Sequence, residues 1–235
     1  MSLIVAVYVP TGIALSGDSR TTGTITQQAV QASGPSAGQP VSVQTQIVIS
    51  DAAEKVSIAF GRFLVGTFGD ALVNKLPIAH YVKQFELDSP EPVDTKACAD
   101  SLLGYFSGLQ PKPNAGFLVC GYDANVPHVF GVDTAAGAVT RMNVDASDPA
   151  KVTYGIARGG DSAVVNRLLS DPQFNPIFDA MNLQDAVDYS RHLIRSTIDQ
   201  MRFEPRFPTV GGTIDTAVAT PDGGPEFLAR KELGC

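Results

Sequence analysis

Residues 3–9 alternate Leu3, Val5, Val7 and Val9 on one face and are mostly apolar on the other, as in a strand covered on both sides. Pro10, Thr11 and Gly12 reverse the chain, and a second short strand over Ile13–Ser16 returns Asp18 toward Ser2. The next uninterrupted apolar runs, Lys55–Phe60 and Phe63–Thr67, read as a hairpin about Gly61-Arg62. From Gly69-Asp70-Ala71 the three- and four-residue spacings of Leu72, Leu76, Ala79 and Val82 predict a helix that Pro77 kinks or shortens. Thr95–Leu109 predicts a second helix, with Cys98, Leu102, Tyr105, Phe106 and Leu109 on one stripe and Pro111 and Pro113 beyond its end.

Strand patterns return over Gly116–Tyr122, His128–Val132, Ala138–Met142 and Lys151–Ala157. Asp161 is then the expected N-cap of a helix burying Val164, Val165, Leu168 and Leu169. A longer helix starts near Asn182 with Asp185 in its first turn, and buries Ala186, Tyr189, Leu193, Thr197 and Met201. Thr213–Thr220 and Glu226–Arg230 close the chain as a hairpin across Pro221-Asp222-Gly223-Gly224. Strands, two helices, strands, two helices, strands is an order that suits α+β layering.

Between Thr21 and Ser50 the pattern lapses: Thr, Gln, Ser and Gly dominate, and charge is absent. This stretch reads as a long loop or irregular hairpin, with Val41–Ile49 able to form a strand, inserted into a single domain spanning 1–235. The 235 residues, 44% hydrophobic and 17% charged with 22 Gly and 16 Pro, suit one large loop-rich globular unit. A net charge of -7 argues against general nucleic-acid binding, which needs a basic face. The 3 cysteines, Cys98, Cys120 and Cys235, have neither disulfide-framework nor zinc-ligand spacing, so no metal or other cofactor is expected. No apolar run approaches the roughly 18 residues of a membrane span, and the opening lacks the basic flank of a signal peptide. A cytoplasmic protein with no membrane association is the expectation.

The chemistry gathers at the start of the chain. Trimming of Met1 would leave Ser2 with a hydroxyl and an α-amine on one residue, the amine with a pKa of roughly 7.7 and able to act as base. The three histidines, His80, His128 and His192, fall in two helices and a strand with no serine–carboxylate pair beside them. Taken alone, Asp18 and Arg20 read as charges after a turn, and Lys55 as a solvated lysine at a strand start.

Together these residues resemble the proteasome β-subunit family of N-terminal nucleophile hydrolases. That resemblance rests on Ser2, Gly12 and Asp18-x-Arg20, on Lys55 opening a short strand, and on Val65-Gly-Thr-Phe-Gly-Asp-Ala71. It continues through Cys120-Gly-Tyr-Asp123, Gly159-Gly160 and Gly211-Gly212, and so covers nearly the whole chain. It implies a four-layer αββα sandwich and a peptidase or amidohydrolase that forms an acyl-enzyme on Ser2. Lys55 would be the electrostatic partner of Ser2, Asp18 would orient Lys55, and the Gly66 N–H, at a strand end, would be the oxyanion donor. Thr21, Ser57, Leu64, Phe68 and Leu72 would line an uncharged, largely apolar pocket, and Thr22 would bind substrate main chain beside Gly66.

A homo-oligomeric ring acting on a peptide or amide is also implied, with any unfoldase partner unknown. The family's supports for the terminal amine are absent in this register: two serine positions fall on Gly159 and Val210, and an aspartate position on Phe207. Asp161, Ser162, Glu204 and Thr209 are the polar residues nearby. A catalytically inactive structural subunit and an acylase or transpeptidase of the same superfamily remain as alternatives.

Overall fold

The computed structural model describes residues 2–30 and 39–231. The expectations for Met1, for Cys235 and for the centre of the Thr/Gln-rich segment lie outside the described residues. The architecture is mixed α+β, built on antiparallel sheets.

The opening hairpin forms as its pattern predicts. Strand β1 (Leu3–Val9) pairs with β2 (Gly12–Asp18) across Pro10-Thr11, and every residue of both is buried. Leu3, Val5, Val7 and Val9 enter one apolar cluster, whereas Ile4, Ala6 and Tyr8 enter another. Both faces are covered, and that double burial is why both sides of the strand are apolar. On either side of this pair stand β12 (Gly155–Gly160) and β13 (Ile214–Ala219), the latter pairing with β14 (Glu226–Ala229), so the sheet order is β12-β1-β2-β13-β14.

The second five-stranded sheet has the order β11-β10-β9-β6-β5, from β5 (Val56–Ala59), β6 (Phe63–Gly69), β9 (Ala115–Asp123), β10 (Val126–Asp133) and β11 (Ala138–Arg141). Helices α1 (Ile78–Asp88) and α2 (Thr95–Gly108) pack Phe85, Leu102 and Phe106 against its Phe63, Phe117 and Val119. Helices α3 (Ala163–Leu168) and α4 (Leu183–Met201) supply Val165, Leu193 and Ile194 to the Leu3–Val9 face of the first sheet. A third cluster joins Ile4 and Leu15 of the first sheet to Leu64, Leu118 and Val129 of the second.

Helix α4 starts where expected, and a reciprocal capping box between Asn182 and Asp185 satisfies two of its N-terminal donors. Three other expectations need correction, and a fourth is narrowed. The helix expected from Gly69 starts only at Ile78; Leu72–Val73 (β7) and Leu76–Pro77 (β8) form a small hairpin instead. Asn74 and Lys75 take φ of 48° and 68° at its turn, a left-handed conformation that no helix continues through. The strand expected at Lys151–Ala157 lies further on, at Gly155–Gly160, because pairing with β1 sets its register from Tyr8–Gly155 to Leu3–Gly160. Asp161 does not cap α3; Ser162 stands at that position, without a side-chain cap bond. Finally, of the alternatives for Thr21–Ser50 the described residues form the hairpin rather than the loop: β3 (Thr21–Val30) and β4 (Pro40–Ser50), which contains Val41–Ile49, pair as a two-stranded ribbon with a register shift at Thr21/Thr22.

Among the described residues no helix is long and apolar enough to cross a membrane.

Candidate functional site

The hairpin register puts Asp18 beside Leu3, whose N–H donates to Asp18 Oδ1 at 2.8 Å. The same oxygen accepts from Lys55 Nζ at 2.7 Å, while Oδ2 accepts from the Gly211 N–H at 3.0 Å and the Arg20 N–H at 3.2 Å. Asp18 is 1% exposed and Lys55 5%. This carboxylate therefore ties together the chain start, the loop before β13 and the lysine before β5.

Lys55 Nζ donates a second bond to the Arg20 carbonyl at 2.6 Å. As an ammonium it has three donors, so one remains beyond these two bonds. Burial pulls the Lys55 pKa below the ordinary lysine value of 10.5, with Asp18 opposing the shift. Arg20 sets the approach of this segment: its guanidinium holds Asp51 through bonds of 2.7 and 2.9 Å, and Ser19 Oγ donates to the Asp51 carbonyl at 2.7 Å.

Ser2, 6% exposed, and Lys55 border one cavity of about 800 Å³. Thr21, Ser57, Phe68 and Leu72 line it, as the sequence reading expected. Leu64 does not: it is fully buried in the cluster between the two sheets. Thr22 is also outside the lining. Nor is the cavity uncharged, because Glu54, Asp70, His80, Lys83, Glu86 and Arg230 join its wall. Glu54 is paired with Arg230 at 2.8 Å and Glu86 with Lys83 at 3.1 Å. Asp70 forms no ion pair among the described residues; its Oδ2 accepts the Asn114 N–H at 2.8 Å.

Gly66 needs the plainest correction. It lies in the middle of β6, between Val56 and Leu118, not at a strand end. Thr67 N–H donates to Lys55 O at 2.8 Å, so the alternation of an antiparallel ladder turns the Gly66 N–H toward Leu118. A Cβ on Gly66 would stand 2.5 Å from Ile4 Cγ2, so close packing of the sheets accounts for this glycine. The same alternation turns the Gly69 N–H to the Lys55 side, beyond the last ladder bond there, between the cavity-lining residues Phe68 and Asp70. Sequence reasoning missed Gly69 because Gly-Asp-Ala looked like a helix start; its φ of 97° marks a strand end instead.

The positions of the missing supports have physical explanations. A Cβ on Gly159 would meet the Phe68 ring at 2.2 Å, leaving no room for a serine side chain. Val210 is 1% exposed and packs in the cluster that holds α4. Phe207 is half-buried. Polar contacts come from neighbouring residues: the Asp161 N–H donates to the Ser2 carbonyl at 2.7 Å, and Asp161 Oδ2 accepts from Thr209 Oγ1 at 2.6 Å and Arg206 Nη1 at 2.5 Å.

No protein-family model matches this chain, and no curated protein matches it.

Proposed function

We infer that the chain is a peptidase or amidohydrolase of the N-terminal nucleophile type, similar to proteasome β-subunits, with Ser2 as nucleophile once Met1 is removed. Such a protein would be a single domain over 1–235 with the four-layer αββα sandwich. The observation that carries the reading is a buried lysine, clamped by Asp18 and the Arg20 carbonyl, bordering the same cavity as Ser2. An exposed strand-start lysine would not be buried to 5% and tied to a carboxylate that also binds Leu3.

In this reading the Ser2 α-amine accepts the Oγ proton as Oγ bonds to the substrate carbonyl carbon. The Lys55 ammonium favours the developing alkoxide, and the Gly69 N–H, rather than Gly66, donates to the oxyanion. Collapse breaks the C–N bond, the leaving amine takes the proton, and water hydrolyses the seryl ester. Asp18 acts through Lys55 and touches no reacting atom. A homo-oligomeric ring and a cytoplasmic setting belong to the same reading, with no nucleic-acid partner.

Intact mass decides the first step. The native protein is expected to lack the initiator methionine and to gain one adduct from a serine-directed fluorophosphonate, while Ser2→Ala gains none. Retention of Met1, or labelling that survives Ser2→Ala, sinks the hydrolase reading. A second reading, the catalytically inactive structural subunit, is favoured by the loss of the family's supports at Gly159, Phe207 and Val210; a processed protein that takes no adduct supports it. An acylase or transpeptidase would label like a peptidase and differ in cleaving non-peptide amides.

A further inference from the structure

A second ionic assembly stands beside Ser2, on the loop that follows β12. The bond from Asp161 N–H to the Ser2 carbonyl, 2.7 Å, sets the two residues opposite each other at the end of the β1–β12 pair. The Asp161 side chain is only 5% exposed. One of its oxygens, Oδ2, is held by Thr209 and Arg206. Arg206 is held in turn by Glu204 at 2.5 Å, and Glu204 by Arg167. Among the described residues the other oxygen, Oδ1, accepts no hydrogen bond. Oδ1 keeps some contact with solvent, and the buried atom of this assembly that lacks a partner among the described residues is Arg206 Nη2. Thr209 and Arg206 thus fix the direction of this carboxylate, and its other oxygen is left for a donor that arrives from elsewhere.

We propose that Asp161 is the positioning residue for the Ser2 α-amine, taking the place of the supports that Gly159, Phe207 and Val210 cannot supply. The proposal rests on the N-terminal nucleophile reading. Ser2 is the residue opposite Asp161, and trimming of Met1 would give its nitrogen two or three N–H donors in place of the amide's one, while Oδ1 has no donor among the described residues. Thr209 and Arg206 keep the carboxylate from rotating, so the amine is held with its lone pair free to face Oγ when neutral. The charged groups around that amine are Asp18 on β2, Lys55 before β5, Asp161 after β12, and the Arg206–Glu204–Arg167 chain behind it. Asp161 favours the ammonium form of the amine, and Lys55 opposes it.

The test is the rate at which a fluorophosphonate probe acylates the processed protein between about pH 5.5 and 9.5, followed by intact mass, with Ser2→Ala as the blank. Asp161→Asn is expected to lower the plateau rate at least tenfold and to move the midpoint down by about one pH unit, because the amine loses a negative neighbour. Thr209→Val keeps the charge but loosens the clamp, so its plateau should fall several-fold with the midpoint unmoved. A folded Asp161→Asn protein with the wild-type plateau and midpoint overturns the proposal and leaves the nucleophile reading intact. If Asp161→Asn does not fold, Thr209→Val decides: an unchanged plateau overturns it. A processed wild-type protein that is not labelled at Ser2 sinks the nucleophile reading, and the proposal with it.

Discussion

Asp18→Asn tests the joint between fold and site. The carboxylate accepts from Leu3 N–H and Lys55 Nζ on one oxygen, and from Gly211 N–H and Arg20 N–H on the other. Asparagine has one acceptor oxygen and an NH₂ group, so whichever way the amide is turned, two donors face a donor. With the oxygen toward Lys55, two main-chain N–H groups lose their acceptor, each at about 1–3 kcal/mol. With the oxygen toward Gly211, the buried ammonium of Lys55 loses both its counter-charge and that bond. Removing one partner of a buried ion pair costs about 3–5 kcal/mol, which lies inside the roughly 2–6 kcal/mol of the first route. Lys55→Met should cost less, since Asp18 then keeps its three main-chain donors. Urea unfolding at neutral pH, followed by circular dichroism, measures both variants and the Asp18→Asn/Lys55→Met pair. The double variant should be clearly less damaged than the sum of the singles. A loss below about 1 kcal/mol for Asp18→Asn would refute the reasoning, because no buried charge would then depend on it.

Three further outcomes follow from the geometry. Gly160 has φ of 88° and a Cβ there would lie 1.8 Å from the Ser2 carbonyl oxygen, whereas Gly61, at φ 61°, has nothing within 4 Å. Gly61→Ala should therefore cost only the left-handed conformation, about 1–2 kcal/mol, while Gly160→Ala should cost more and abolish Ser2 acylation; equal losses in thermal unfolding would contradict this. Burial, with Arg141 nearby, holds the His128 pKa below 6.5, so the unfolded chain binds the extra proton first. The contribution of His128 is then full above pH 6.5 and declines as pH falls through and below that value; His128→Asn should flatten the acid limb of a stability–pH curve, and an unchanged limb would refute it. In the cavity, Asp70 is the acidic group without a counter-cation among the described residues. Asp70→Asn should lower the rate for a cationic amide by up to roughly fivefold relative to a neutral one, the size of an exposed ion pair; an unchanged ratio would remove Asp70 from specificity.

The legible parts of the sequence were those in which local pattern and tertiary demand agree. The Leu3–Val9 alternation, the two-residue reversal and the Asn182–Asp185 cap are local signals that packing reinforces. Illegible parts were those in which distant partners decide. Leu72 and Leu76 have helical spacing, yet both are 44% exposed on a small hairpin whose turn residues are left-handed. The expected strand stopped at Ala157, yet Arg158-Gly159-Gly160 is strand as well, because β1 supplies partners through Gly160. Gly66 and Gly69 are three residues apart and look interchangeable; only the ladder bond from Thr67 to Lys55 distinguishes a packing glycine from one whose N–H turns to the cavity. Asp161 looked like a cap and is instead a buried ion-pair partner, which requires Arg206 from a loop 45 residues away.

An uncharged insertion between Asp18 and Lys55, which stand 37 residues apart, is an objection to their pairing. The ribbon answers that objection. Its ends, Thr21 and Ser50, are paired with each other, and Arg20 and Ser19 hold Asp51 directly beyond them. Even as a flexible loop, each doubling of the connection would add only about 0.6 kcal/mol to closure, well below the cost of separating a buried aspartate from its lysine. Because β3 and β4 hydrogen-bond to each other from base to tip of the described strands, the site experiences the insertion as two adjacent chain ends. Its length can therefore vary while Asp18, Lys55 and the Arg20 carbonyl keep their places, provided that the Arg20–Asp51 clamp is kept.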